Sequence, residues 1–173
     1  MRRRHAFGPH DVHAITVVLS QRNAVYPGIA RHGPFESATG AVMSGPFMLA
    51  VGLRDGTLRM RDFDDLYGPG DLHHLSQRIT VKGEADLPDW GARLEVHLKD
   101  GTTLNDRITE LSRFAFDWDE ADAQLSLLAQ EWPWPDGAAR YQTLKETVLR
   151  LQEQASLDSI IHCVVRSSDE TGR

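Results

Sequence analysis

The stretch MSGPFMLAVGLRDG, residues 43–56, carries its own helix start and stop signals. Ser44 is a residue type that caps helix N-termini, and Pro46 falls in the first turn, where its missing N–H has no intrahelical partner. Gly56 can adopt the positive φ that ends many helices. The apolar positions fall on one face: Phe47, Ala50, Val51 and Leu53. The stretch therefore predicts a short amphipathic helix packed on a core.

Four segments around this helix have the pattern of β-strands. They are residues 13–21, 77–88, 92–101 and 102–109. The third alternates apolar and polar side chains and runs into Asp100-Gly101, a strong hairpin signal. Because strands and helices are mixed without a βαβ rhythm, the pattern predicts an α+β fold. We expect an antiparallel or mixed sheet with packed helices, arranged as a two-layer sandwich and followed by C-terminal helices.

The pattern becomes helical after residue 115. An acidic segment opens a helix near residue 117, and residues 138–154 place apolar side chains at spacings of three and four. We expect an α+β domain over residues 1–115, a helical extension over 116–165 and a disordered polar tail over 166–173. The second helix carries an apolar stripe, which predicts that it covers the sheet, binds a partner chain or stays exposed.

Composition excludes several classes of protein. The net charge of −6 and the pI near 5.7 argue against nucleic acid as a partner. No apolar run is long enough to cross a membrane, and the first residues do not form a secretory signal core. Cys163 is the single cysteine, which excludes an intrachain disulfide and suits a reducing compartment. Its apolar surroundings predict a buried structural thiol. We expect a cytoplasmic protein.

The eight histidines do not form a recognisable metal site. His10 and His13 stand where a strand begins, so they lack helical ligand spacing. His73 and His74 are adjacent, which points their rings in different directions. No zinc-protease motif, nucleophile elbow, phosphate loop or dinucleotide fingerprint occurs in the chain. We therefore predict no metal and no cofactor, and the motifs identify no catalytic residue.

Four landmarks follow one another along the chain. They are the turn Pro9-His10-Asp11-Val12 before a strand, the helix entrance Ser44-Gly45-Pro46-Phe47 with its Asp55-Gly56 end, the segment 75–81, and the hairpin strand 94–101. Together they resemble the C-terminal small domain of the MmgE/PrpD family. That family includes 2-methylcitrate dehydratase, cis-aconitate decarboxylase and iminodisuccinate epimerase. The resemblance covers residues 8–110.

The resemblance implies a place beside the active-site cleft of a lyase or isomerase that acts on a small polycarboxylate. It implies substrate contacts from Arg31 and His32 as cationic groups, from Ser44 with the N–H groups of the helix that it caps, and from Phe47. The alternative for Arg31 and His32 is a solvated surface loop. Phe47 stands where the family has a tyrosine, and a phenyl ring can neither transfer a proton nor bind a carboxylate through a hydroxyl.

Members of the family are longer, and a large helical domain precedes the small one. Two functions therefore stay open. The chain is the lid half of a split lyase or isomerase, completed by a separately encoded helical PrpD-like subunit, or it is a non-catalytic binding or assembly module derived from a truncated member. In both cases we expect the isolated chain to be inactive and to form a homo-oligomer or bind a helical partner.

Overall fold

The computed structural model describes residues 5–59, 63, 68–132, 134–153 and 156–165. The chain divides into unit 1, residues 1–115, and unit 2, residues 116–173. The predicted disordered tail at residues 166–173 lies outside the described residues. None of the helices in the described part of the chain is long and apolar enough to span a membrane.

Within the described residues, unit 1 is built on a four-stranded mixed sheet. Its strands are β1 (Val12–Ser20), β2 (Ile79–Glu84), β3 (Ala92–Leu98) and β4 (Thr103–Ile108). The order across the sheet is β2-β1-β3-β4, with β1 parallel to β2 and both other pairs antiparallel. Ile15 at the centre pairs with Ile79 on one side and Val96 on the other. Each predicted strand segment thus contains a strand.

The hairpin between β3 and β4 forms at the predicted turn. Gly101 has a φ of 88°, which an L side chain rarely adopts. The backbone N–H of Thr102 donates to Asp100 Oδ1 at 2.9 Å. Hydrogen bonds from Thr102 hold the pKa of the Asp100 carboxyl below its usual range.

Helices cover one face of the sheet. They are α1 (Gln21–Ala24), α2 (Ala38–Val42), α3 (Gly45–Asp55) and α4 (Asp71–Ser76). The predicted central helix is α3, which begins after Ser44 as N-cap. It ends at Gly56, whose φ is 75° and whose N–H donates to the carbonyl of Gly52 at 2.9 Å. Its local start and stop signals are therefore confirmed.

The core of unit 1 lies between the sheet and these helices. The largest fully buried apolar side chains come from both layers: Val12, Ile15, Phe47, Val51, Ile79 and Val96. Burying such side chains contributes about 1.5–3 kcal/mol each relative to exposure. The architecture is the predicted α+β sandwich of two layers.

Unit 2 is helical. Its helices are α5 (Trp118–Ala129), α6 (Gly137–Leu149) and α7 (Asp158–Val164). A capping box opens α5, since Glu120 N–H donates to Asp117 Oδ1 at 2.8 Å and Asp117 N–H donates to Glu120 Oε2 at 3.2 Å. The predicted helix at 138–154 is too long, because α6 ends at Leu149 and residues 151–153 form a 3-10 turn. The last side chains are exposed there, so no packing extends the helix.

One polar cluster joins α5 to α6. The Tyr141 hydroxyl donates to Asp122 Oδ1 at 2.8 Å, and Lys145 Nζ lies 2.7 Å from Asp122 Oδ2. The bonds from Lys145 and Tyr141 lower the pKa of Asp122, and the bond to Asp122 raises the pKa of Lys145. Burial raises the pKa of Tyr141. The three groups therefore hold the charged carboxylate between the two helices.

Apolar side chains in unit 2 divide into a buried and an exposed set. Tyr141 and Cys163 are buried, as predicted for the thiol. The exposed set includes leucines of α5 and aliphatic side chains of α6 and α7: Leu125, Leu127, Leu128, Val148, Leu149 and Ile161. Of the apolar stripe predicted on the second helix, Tyr141 is buried, Leu144 is half-buried and Val148 is exposed, while Leu151 lies beyond the end of α6.

Candidate functional site

The segment of residues 28–36, here called the 28–36 loop, lies against the start of α3. The Arg31 N–H donates to the carbonyl of Gly28 at 3.1 Å, and the Gly45 N–H donates to the carbonyl of Ile29 at 2.9 Å. A Cβ at Gly45 would lie 3.1 Å from that Ile29 oxygen, so a glycine permits the close approach. The bond from Gly45 holds the 28–36 loop against the first residue of α3.

Ser44 connects the loop to the helix. Its side chain is fully buried, and its Oγ accepts the Phe47 N–H at 3.0 Å while donating to the carbonyl of Arg31. The hydroxyl thus satisfies one of the free N–H groups of the first turn and also the carbonyl of Arg31. The structure brings three of the predicted residues, Arg31, Ser44 and Phe47, into one chain of hydrogen bonds.

His32 is anchored through both its ring and its backbone. Nε2 lies 2.8 Å from the carbonyl of Ile79 in β2, and a carbonyl only accepts, so Nε2 carries the proton. The His32 carbonyl accepts from His73 Nδ1 at 3.1 Å and from Ser76 Oγ at 2.9 Å. Among the described residues His32 Nδ1 has no hydrogen-bond partner. It is therefore the ring nitrogen that a ligand can engage.

Phe47 faces the core. Its side chain is 1% exposed and lies between two other rings, an edge-to-face contact with Phe35 at 5.5 Å and a tilted contact with Phe63 at 6.3 Å. In this structure Ser44 donates a hydrogen bond to the 28–36 loop, and Phe47 packs against Phe35 of that loop. Their direct contact with a substrate stays a prediction.

Two supports of the loop were not predicted from the sequence. Ser76 is fully buried at the end of α4, and its Oγ lies within hydrogen-bond distance of the carbonyls of both His32 and His73. A serine that continues the apolar face of Leu72 and Leu75 is the signal that could have identified it. The ring of His73 is the second support, and its place beside His74 in the sequence gives no signal for that role.

This site presents an exposed cation on an anchored stretch of backbone. Arg31 is exposed, while its backbone is bonded on both sides, to Gly28 and to Ser44. A guanidinium binds carboxylates through paired N–H donors. No group of three or more His, Cys, Asp or Glu side chains suited to a metal ion occurs in the described part of the chain. The arrangement can bind an anion.

Replacing Ser44 with alanine is expected to lower the free energy of unfolding by about 2–3 kcal/mol, because the fully buried cap is lost and the part-buried Arg31 carbonyl loses its donor. Urea denaturation of the full chain measures this. Ser37→Ala is the matched control, since Ser37 caps α2 from an exposed position with a 3.3 Å bond. We expect the control substitution to lower the free energy of unfolding by about 1 kcal/mol or less. Equal losses for the two variants would contradict the clamping role of Ser44.

A family model described as MmgE/PrpD C-terminal domain matches residues 1–126 of the 173. The match includes the whole sheet, α3 with its Ser44 cap and the 28–36 loop. No curated protein matches the chain.

Proposed function

The chain belongs to the MmgE/PrpD family through its C-terminal domain, and on that premise we propose that it forms the small, substrate-binding domain of a lyase or isomerase. The substrate class is a small polycarboxylate. Arg31 and His32 bind its carboxylates from the 28–36 loop, at the entrance to α3. A helical domain or a separately encoded helical subunit supplies the groups that transfer protons.

The observation that carries this proposal is the anchoring of Arg31. The bonds to Gly28 and Ser44 fix its backbone, and the ring of its neighbour His32 is fixed on Ile79. A solvated surface loop does not require a fully buried serine beneath it. The anchored backbone supports a role for the Arg31 side chain at the entrance to α3.

The assignment of the proton-transfer groups to another domain rests on Phe47 and Ser44. Phe47 has no hydroxyl, and the Ser44 hydroxyl already donates to Arg31 and accepts from Phe47. Neither side chain can act as a general acid or base in this arrangement. His32 Nδ1 can accept a hydrogen bond from a substrate, or donate one when the ring is charged. We therefore expect no dehydratase, decarboxylase or epimerase turnover by the chain alone.

Binding by the chain tests the proposal. We expect cis-aconitate and 2-methylcitrate to shift the NMR signals of Arg31 and His32 saturably in the full 173-residue chain. Arg31→Gln is expected to weaken binding about 10–100-fold, since one charge-assisted hydrogen bond contributes about 1.5–3 kcal/mol. Arg113→Gln changes an exposed arginine outside the loop and is expected to have no effect. Turnover by the chain alone, or binding that Arg31→Gln leaves intact, would contradict the proposal.

A second candidate is a non-catalytic binding or assembly module. The exposed leucines of α5 favour it, because Leu125, Leu127 and Leu128 form an apolar surface suited to another protein. The same titration separates the two functions. A folded chain that binds neither polycarboxylate favours the assembly module.

A further inference from the structure

Helix α3 has a second apolar side besides the one that it buries in the core. Phe47, Ala50 and Val51 belong to the core and are fully buried. The residues of the second side are only half-buried: Met48, Leu49, Gly52 and Leu53. At 3.6 residues per turn these four positions share one side of the helix. This side of α3 is therefore an apolar surface that the core of unit 1 does not fully cover.

The second side of α3 borders a groove on the sheet. Two cavities of about 270 and 280 Å³ share Leu49 and Leu94, so they meet along α3. Every residue that lines the first cavity is apolar or glycine, and the sheet contributes Ile15 and Val96 to it. A Cβ at Gly52 would meet no atom within 4 Å. The groove is thus open at this glycine, where a second backbone can approach closely.

Helix α5 of unit 2 carries an exposed apolar stripe. Trp118, Ala121, Leu125 and Leu128 follow one another at spacings of three, four and three residues, which places them on one side of the helix. Trp118 is 52% exposed, and Leu125 and Leu128 are each 44% exposed. Apolar anchors at such spacings are typical of a helix that binds in an apolar groove.

Charge favours one direction of binding along the groove. Arg107 lines the second cavity, and its side chain makes no hydrogen bond or ion pair within the described part of the chain. Arg93 beside it is paired with Glu84, and Asp106 accepts the backbone N–H of Arg107 at 3.0 Å. Residues 117–130 include four acidic residues, all in the first turns of α5 or just before it, and no basic one. The acidic start of α5 therefore suits the Arg107 end of the groove.

The groove and the stripe occur in the same molecule, and both are accessible in the single chain. We propose that the groove binds α5 of a second copy of this chain. Leu125 and Leu128 of one copy pack around Gly52 of the other, and the acidic start of α5 lies near Arg107. Because each copy carries one groove and one stripe, two copies bind reciprocally and form a closed two-fold dimer. The contact uses neither side chain of the Arg31 and His32 pair.

Self-association of the full chain tests this proposal. We expect sedimentation velocity to show a concentration-dependent equilibrium between monomer and dimer. Gly52→Gln places a long side chain in the groove and is expected to weaken dimerisation at least about tenfold. This variant is expected to fold with an unchanged or higher Tm, because the new Cβ meets no atom of the chain and glutamine favours a helix more than glycine does. The double variant Leu125→Gln/Leu128→Gln is expected to weaken dimerisation to a similar extent.

Mixing the two variants identifies the contact. Gly52→Gln retains an intact stripe, and Leu125→Gln/Leu128→Gln retains an intact groove. The mixture is therefore expected to form a heterodimer with one intact contact, at concentrations where neither variant forms a homodimer. A contact between two stripes or between two grooves does not give this rescue.

The matched controls are Gly68→Gln and Leu149→Gln, which change an open glycine and an exposed leucine outside both surfaces. Both are expected to leave dimerisation unchanged. Arg31→Gln is also expected to leave it unchanged, so this contact and the Arg31 site can fail separately. A monomer at every concentration, or a dimer that persists in both the groove and the stripe variants, would overturn the proposal. A mixture that associates no more strongly than its two components would overturn it as well.

Discussion

Phe47→Ala is expected to lower the free energy of unfolding by about 3–5 kcal/mol, the usual loss for truncating a buried phenylalanine. The ring is 1% exposed and contacts Phe35 and Phe63, so its removal leaves a cavity at the centre of the core. It also stands in the first turn of α3, where its N–H bonds to Ser44. Urea denaturation of the full chain measures the change.

The control for Phe47 is Phe114→Ala. That ring is 51% exposed and belongs to the same unit, so we expect a change within about 0.5 kcal/mol. Phe47→Tyr is expected to lower the free energy of unfolding by about 1–3 kcal/mol, because the added hydroxyl enters an apolar core. A loss below about 1 kcal/mol for Phe47→Ala would show that the ring is not part of the core.

The features that the sequence predicted well are those with local causes. The start and end of α3 depend on Ser44, Pro46 and Gly56, which act within one or two turns of the helix. The hairpin depends on Asp100-Gly101, and the strands on alternation within a few residues. A single sequence contains these signals in full.

The pairing of β1 with β2 could not be predicted from such local signals. The two strands are parallel, and the chain between them spans residues 21–78 with four helices in the described part. Such a crossover is decided by packing of the helices on the sheet. The sequence predicted an antiparallel or mixed sheet, which is the limit of what alternation alone can distinguish.

The site residues also divide into those with a local sequence signal and those without one. Arg31, His32, Ser44 and Phe47 could be singled out because they surround one recognisable helix entrance. The bond from Ser76 to His32 joins residues 44 positions apart. A cavity of about 300 Å³ combines His10, Arg54 and the pair His74 and Arg78 from three segments of the chain. Apart from the four-residue spacing of His74 and Arg78, no spacing rule relates these positions, so the fold is needed to bring the three segments together.

Tyr141→Ala is expected to unfold α5 and α6 locally, at a cost of about 3–5 kcal/mol. In unit 2 the Tyr141 ring is 6% exposed, contacts Trp132 edge to face at 6.4 Å and donates its hydroxyl to Asp122. Hydrogen exchange of the α5 and α6 amides measures this opening without requiring global unfolding. Tyr141→Phe keeps the ring and is expected to cost about 1–2 kcal/mol, since Asp122 retains Lys145. The exposed Leu149→Ala is the matched control, and unchanged exchange in Tyr141→Ala would show that other contacts join the two helices.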